Sequence, residues 1–248
     1  ILITGSSGDI GKSLSKDFKE AGWYVIGIDI LNKRNRNESI YCDKFFNFDL
    51  VNCKSNNFLF NKLINSIKSD LNKSGFSLCG LINNAAMQII KPFEKINTEE
   101  WDKLFSVNFF APVELSKALL EDLKENEGSI LNIGSIHREL TKPCFSAYAT
   151  SKSALIGLTS SLAVEFGHKV RVNAIEPAAI NTSMLKEGFK NNLHELNALA
   201  KLHPTKRLGQ PEDISKAALF LMDSDQKFVN GCILKISGGI HSRLYDIY

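Results

Sequence analysis

The sequence predicts one α/β domain: a doubly wound, mostly parallel sheet of about seven strands with helices on both faces. Three observations lead there. Short β-branched runs alternate with helical-period stretches along all 248 residues, without long linkers or repeats. A glycine-rich turn joins the first strand directly to the first helix. Polar or small residues follow the ends of several strands, and in a parallel sheet those ends share one rim, where ligands bind. With 44% hydrophobic and 23% charged residues the composition is that of a globular protein. A net charge of +3 is too mild to point to nucleic acid or an anionic membrane. No apolar run approaches the roughly 20 residues that span a bilayer.

The elements follow in order. Ile1-Leu2-Ile3 is a strand that begins without Met, so a few leading residues are expected to be missing. Thr4 to Gly11 (TGSSGDIG) is the turn, and a helix with Ile10, Leu14, Phe18 and Ala21 on one stripe follows, stopped at Gly22. Gly5 allows a tight turn, Gly8 lets the backbone approach a pyrophosphate, and Gly11 lets the helix pack close to the strand. Gly5, Ser7, Gly8, Asp9, Ile10 and Gly11 are therefore candidate cofactor contacts. The run Tyr24 to Ile28 is the next strand, ending at Asp29. A carboxylate there can accept from the adenosine ribose hydroxyls and repels a 2′-phosphate, favouring NAD(H) over NADP(H). Lys33, Arg34 and Arg36 lie just beyond and read as a solvated basic loop that could also swing back to a phosphate.

Asn32 to Asn57 reads mostly as loop, with a short strand at Phe45 to Phe48. Asp49 and Leu50 follow it, near an adenine edge or as a helix cap. Phe60, Leu63, Ile64, Ile67 and Leu71 are the core face of a helix. Leu78 to Ile82 is a fourth strand, leading into Asn83, Asn84, Ala85 and Ala86, polar then small, as a cofactor lying on backbone requires. A long helix begins with Thr98 as cap and carries Trp101, Leu104, Phe105, Val107 and Phe109. Asn108 inside it is a satisfied packing residue or part of a site.

The strand Ile130 to Ile133 leads to Ser135, and a loop with Pro143 leads to a helix carrying Tyr148 and Lys152. Four residues apart, these two share a face. A neighbouring cation stabilises a phenolate, lowering the phenol pKa from its ordinary value of about 10, so such a Tyr can exchange a proton with an alcohol or carbonyl oxygen. Ser135 could hold that oxygen. Tyr-x-x-x-Lys alone is common on helices; its meaning comes from the strand ends around it. The strand Lys169 to Ile175 ends at Glu176-Pro177. Residues 178–210 read as a mobile segment with short helices, where a substrate lid would sit. Pro211 opens another helix. Gly231 to Ile236 is the last strand, and the aromatic tail from Gly238 to Tyr248 is packing or subunit contact. Five scattered cysteines with no metal-ligand spacing read as reduced thiols, consistent with a cytoplasmic protein. No cationic and apolar leader is expected ahead of the domain.

Taken together, TGSSGDIG, Asp49-Leu50, NNAA, the helix with Asn108, Ser135 ahead of YATSK, EPAAINTSM, GQPEDIS and GCILKISGGI resemble the short-chain dehydrogenase/reductase family in its compact single-domain branch, over essentially the whole chain. The resemblance implies a Rossmann-type fold and a tetramer or dimer. It implies that Tyr148 is the proton donor or acceptor, that Lys152 lowers its pKa and holds the nicotinamide ribose, and that Ser135 binds the substrate oxygen. Asn108 would support a water-linked proton path through Lys152, and Ile180 and Thr182, after Pro177, would meet the nicotinamide carboxamide. Three positions depart from the branch's pattern. Asp9 stands where a glycine is usual, giving T-G-x-x-G-x-x-G; Ala86 replaces the glycine of N-N-A-G; and Ala178 replaces the glycine after Pro177.

The expected activity is NAD(H)-dependent interconversion of a secondary alcohol and a ketone, acting on a small molecule. The alternatives are a 3-oxoacyl-thioester reductase using NADPH, a dehydrogenase modifying sugars or nucleotide sugars, and a cofactor-binding regulatory protein without turnover. His137 and Arg138, next to Ser135, suggest a basic pair for an acidic substrate, or else a solvated loop.

Overall fold

A computed structural model describes residues 1–30, 40–190 and 192–244. Its centre is a seven-stranded sheet, every neighbouring pair parallel, in the order β3-β2-β1-β4-β5-β6-β7. The strands are β1 (Leu2–Thr4), β2 (Ile26–Asp29), β3 (Lys44–Asn47), β4 (Gly80–Asn83), β5 (Ser129–Ile133), β6 (Arg171–Pro177) and β7 (Ile233–Ile236). Each expected strand is present, displaced by a residue or two. β1 pairs Leu2 with Ile26 on one side and Leu2 with Leu81 on the other. Strand order reverses there, so the crevice at the carboxyl ends of β1 and β4 is the place for a ligand.

Between the strands run α1 (Asp9–Glu20), α2 (Asn52–Ser55), α3 (Asn57–Ser74), α4 (Thr98–Phe105), α5 (Ala111–Glu125), α6 (Ser146–Phe166), α7 (Ser183–Gly188), α8 (Leu193–Leu202) and α9 (Pro211–Met222). The sheet buries both faces, as its near-continuous apolar strands require. One face packs Leu2, Ile26, Leu81 and Ile130 against α3, α5 and α6 through Ile67, Leu115 and Ala163. The other packs Ile3, Ile82 and Leu131 against α1 and α9 through Leu14, Phe18 and Ile214. Ser13, Ser215 and Asp17 also hydrogen-bond between α1 and α9.

Three local expectations are corrected. The cap of α4 is Asn97, whose side chain accepts from the Glu100 amide while Glu100 returns the bond; Thr98 is the first helical residue. The helix carrying Asn108 is not continuous α-helix: a π-helical turn, Ser106–Phe110, separates α4 from α5. The Asn-rich stretch before α3 contains the short helix α2. The 178–210 segment holds short helices as expected, α7 and α8. The basic residues Lys33, Arg34 and Arg36 lie outside the described residues, as does the end of the aromatic tail beyond residue 244.

Candidate active site

The turn after β1 is built around two glycines. Gly5 has φ +66°, a conformation side chains rarely adopt, and a Cβ on Gly11 would lie 1.9 Å from the Gly5 carbonyl oxygen. The turn is tied to the end of β4. Asn84 Nδ2 donates to the Thr4 and Gly5 carbonyls, and Thr4 Oγ1 accepts from the Asn84 and Ala85 amides. Asn84's side chain therefore braces the turn. Gly8 is the N-cap of α1 and uses no side chain to satisfy the helix's first amides. A Cβ there would meet one atom at 3.5 Å, so the face above it is open. Asp29 closes the far side, accepting from the Ser7 and Ile30 amides at 2.8 and 2.7 Å.

Other expected cofactor positions present backbone rather than side chain. Ile10, Leu50 and Ile180 pack into the core. Asp49 accepts from the Val51 amide, and Thr182 caps α7 by accepting from the Leu185 amide. Pro177 ends β6. Asp9 reaches away from the turn and accepts from the Ser183 amide at 2.7 Å, joining the start of α1 to α7.

At the end of β5 the Ser135, Tyr148 and Lys152 side chains come together. Both Tyr148 and Lys152 are buried on α6. Lys152 Nζ donates to the Ile133 carbonyl at 2.7 Å and stands 5.9 Å from the centre of the Tyr148 ring. Burial pulls the Lys152 ammonium down to about 8. Burial pushes the Tyr148 phenol above its ordinary value, with the Ser135 hydroxyl pulling the other way. In this arrangement desolvation outweighs the lowering of the phenol expected from Lys152, whose ammonium is held by a carbonyl.

Asn108 is buried in the π-helical turn. Its side chain pairs with Met87, accepting from the amide and donating to the carbonyl, each at 2.9 Å, and also donates to Ser151 Oγ at 3.0 Å. Among the described residues, the hydrogen bonds of its side-chain amide go to the segment after β4 and to α6, and none goes to Lys152.

The basic pair next to Ser135 is corrected in both members. Arg138 grips Glu176 with two nitrogens, one of them Nη2 at 3.1 Å, and Glu139 with Nη2 at 2.5 Å. Glu176 is fully buried, so Arg138 neutralises a carboxylate of β6, with Nε and Nη2 committed to Glu176 and Glu139. His137 does face Tyr148, edge-on with centroids 5.8 Å apart, and stacks on Phe145 at 4.3 Å. Burial, then the nearby Lys142, lowers its pKa to about 4, so its ring is neutral at pH 7. Sequence reasoning missed Phe145 and Lys142 as parts of this wall, and Phe189, which reaches it from the segment after α7. A loop sequence carries no period that fixes where its side chains point.

The comparisons agree with the fold. The family model described as enoyl-(acyl carrier protein) reductase matches residues 5–241. The chain belongs to the short-chain dehydrogenase/reductase family. Protein FixR of Bradyrhizobium diazoefficiens is 33% identical over 255 residues, covering 97% of this chain and 86% of that protein. The ligand-free aldohexose dehydrogenase of Thermoplasma acidophilum superposes with a TM-score of 0.88 at 26% identity, covering 100% of this chain and 96% of that one. ElxO with NADP bound has a TM-score of 0.84 at 26% identity, covering 98% of each chain. As a family member this chain is an NAD(P)-dependent oxidoreductase.

The residues present fit such a dinucleotide. Among the described residues the Ser7 hydroxyl is buried without a partner, within a turn whose neighbour Gly8 faces open space at a helix N-terminus. An unsatisfied buried donor beside free helix amides is what an incoming phosphate or ribose oxygen would satisfy. Among the described residues no helix is long and apolar enough to cross a membrane.

Proposed function

We propose that this chain interconverts a small secondary alcohol and its ketone with NAD(H), with Tyr148 as general acid and base. The observation that carries the reading is the meeting of Ser135, Tyr148 and Lys152 at the end of β5, beside the crevice at β1 and β4. A nicotinamide held in that crevice would supply the hydride for the substrate carbon or accept it. Ser135 holds the substrate oxygen by its hydroxyl, and Tyr148 gives that oxygen a proton or removes one. A phenol pushed upward by burial is protonated at neutral pH, which suits donation to a carbonyl oxygen being reduced. Lys152, below about pH 8, keeps a positive charge beside the ring and limits the cost of the phenolate left behind. Asn108 would position α6 and the segment after β4 and support a water-linked proton path through Lys152.

Gly5, Ser7, Gly8, Gly11 and the backbone of Asp9 and Ile10 would cradle the pyrophosphate. Asp29 would receive the adenosine ribose, with Asp49 and Leu50 by the adenine. Asn84 and Ala85 would line the middle of the dinucleotide, and Pro177, Ile180 and Thr182 the nicotinamide end. Residues 178–210 form the substrate lid. The five cysteines are free, in keeping with a cytoplasmic protein, and a homotetramer or dimer is the assembly the family resemblance suggests.

Asp29 supports NAD(H), since its carboxylate would oppose a 2′-phosphate. The second reading, a 3-oxoacyl-thioester reductase using NADPH, is supported by the 3-oxoacyl-[acyl-carrier-protein] reductase FabG of Haemophilus influenzae among the relatives, 28% identical. Gluconate 5-dehydrogenase of Gluconobacter oxydans, 30% identical, keeps a sugar-type substrate in view. Calorimetry with NADH and NADPH, followed by turnover on a panel of ketones, oxoacyl thioesters and sugars, separates the readings. NADH binding at least about tenfold tighter, with turnover of free ketones, is expected; preference for NADPH and for thioesters would replace the first reading with the second.

A further inference from the structure

We infer that Lys142 is the receptor for an acidic group on the substrate, so that carboxylate- or phosphate-bearing ketones are preferred over neutral ones. The inference rests on the oxidoreductase reading above and names the substrate class of that same site. It starts from the wall that leaves Tyr148. His137 stands edge-on to Tyr148 at 5.8 Å, and Phe145 stacks on His137 at 4.3 Å with the rings 10° apart. Lys142 Nζ lies 4.7 Å from the centre of the Phe145 ring and 5.0 Å from that of Phe189. A chain of ring contacts thus runs from the Tyr148 ring, through His137 and Phe145, to an ammonium that lies over two aromatic rings.

That ammonium differs from the other cations around the site. Arg138 is bound by Glu176 and Glu139, Lys235 by Glu139, and Lys152 by the Ile133 carbonyl. No carboxylate of a described residue pairs with Lys142, and partial burial lowers its pKa. The side chain as a whole is exposed, so a ligand can reach it. Aromatic faces attract a cation but leave its hydrogen-bond donors unused. A carboxylate or phosphate oxygen would use them, beside a neutral imidazole and two aromatic rings. His137, neutral at pH 7, adds no competing charge.

The test compares matched substrates with NADH: an oxo acid against its methyl ester, and a ketose phosphate against the free ketose. Wild-type kcat/KM should favour the acidic member of at least one pair by about tenfold or more, the scale of one charged hydrogen bond. Which pair shows the preference tells carboxylate from phosphate. In Lys142→Met the acid-to-neutral ratio should fall toward one, chiefly through KM, and Lys142→Arg should retain most of it. A wild-type ratio near one in both pairs, or a ratio unchanged in Lys142→Met, overturns the inference; the second result would mean that Lys142 merely packs Phe189 onto Phe145. Calorimetry of succinate and of inorganic phosphate with the NADH complex decides the matter even if no substrate turns over. Where no substrate turns over, saturable binding of either anion, lost in Lys142→Met, still supports the acidic subsite, and only the proposed ketone activity fails. No binding of either by the wild-type complex overturns the subsite.

Discussion

The reassignment of Arg138 from substrate ligand to structural partner makes a quantitative prediction. Glu176 is fully buried, and the Arg138 side chain is 24% exposed. Two guanidinium nitrogens meet the two Glu176 oxygens. Arg138→Met leaves a buried carboxylate without its cation, a change that costs about 3–5 kcal/mol when the pair is fully enclosed. Water reaching the exposed quarter of Arg138 argues for the lower end, about 3 kcal/mol. The contact with exposed Glu139 adds little, as surface pairs do. For a chain of this size each kcal/mol moves Tm by about 2–4 °C, so the variant should melt roughly 6–12 °C below wild type. Differential scanning calorimetry, with guanidinium titration as a second measure, reads this directly. Adding Glu176→Leu should recover most of the loss, because an apolar pair of similar volume often replaces a buried ion pair without cost. A single variant melting within about 1 °C of wild type would refute the structural assignment, and an isolated rise in KM would return Arg138 to the substrate.

Two glycines of the turn should behave differently. Gly8→Ala has φ −75° and open space, so its Tm should stay within about 1–2 °C of wild type while NAD(H) affinity falls at least about tenfold, read by calorimetry. Gly11→Ala would put a methyl group 1.9 Å from a carbonyl oxygen, so it should lower Tm as well as binding. Lys152 should make the unliganded protein's stability depend on pH. Its folded pKa of about 8 lies below the ordinary 10.5. Between those values the unfolded chain holds more protons, so this group's contribution rises with pH across that window. Lys152→Met should therefore be more stable than wild type at pH 7, by up to about 3 kcal/mol, with the difference shrinking from pH 8 to 10.5; urea titrations at several pH values measure it, and a constant difference would contradict the burial argument.

Much of the architecture was readable because it rests on period and punctuation. Buried parallel strands are short apolar runs, and Gly5, Gly11, Gly22 and Pro211 each sit where the backbone demands that residue type. The α4 cap was misplaced by one residue because Asn97 and Thr98 are both good caps, and only the reciprocal Glu100 bond selects Asn97. The π-helical turn has no sequence period of its own. At the site, the Tyr148 and Lys152 pairing was legible from helical spacing, and Ser135 from its place at a strand end. Charge state was not. That Arg138 is consumed by Glu176, that His137 is neutral, and that burial raises the Tyr148 phenol all depend on packing between elements far apart in sequence.

The proposal that Tyr148 exchanges a proton with the substrate oxygen is tested most directly by Tyr148→Phe. The change removes one hydroxyl and leaves the ring that packs against His137 and Phe145. Turnover of the best ketone with NADH should fall at least about 10²-fold, while the Kd for NADH, measured by calorimetry on the same preparation, stays within about twofold of wild type. Turnover near the wild-type rate, with the cofactor bound normally, would contradict the account.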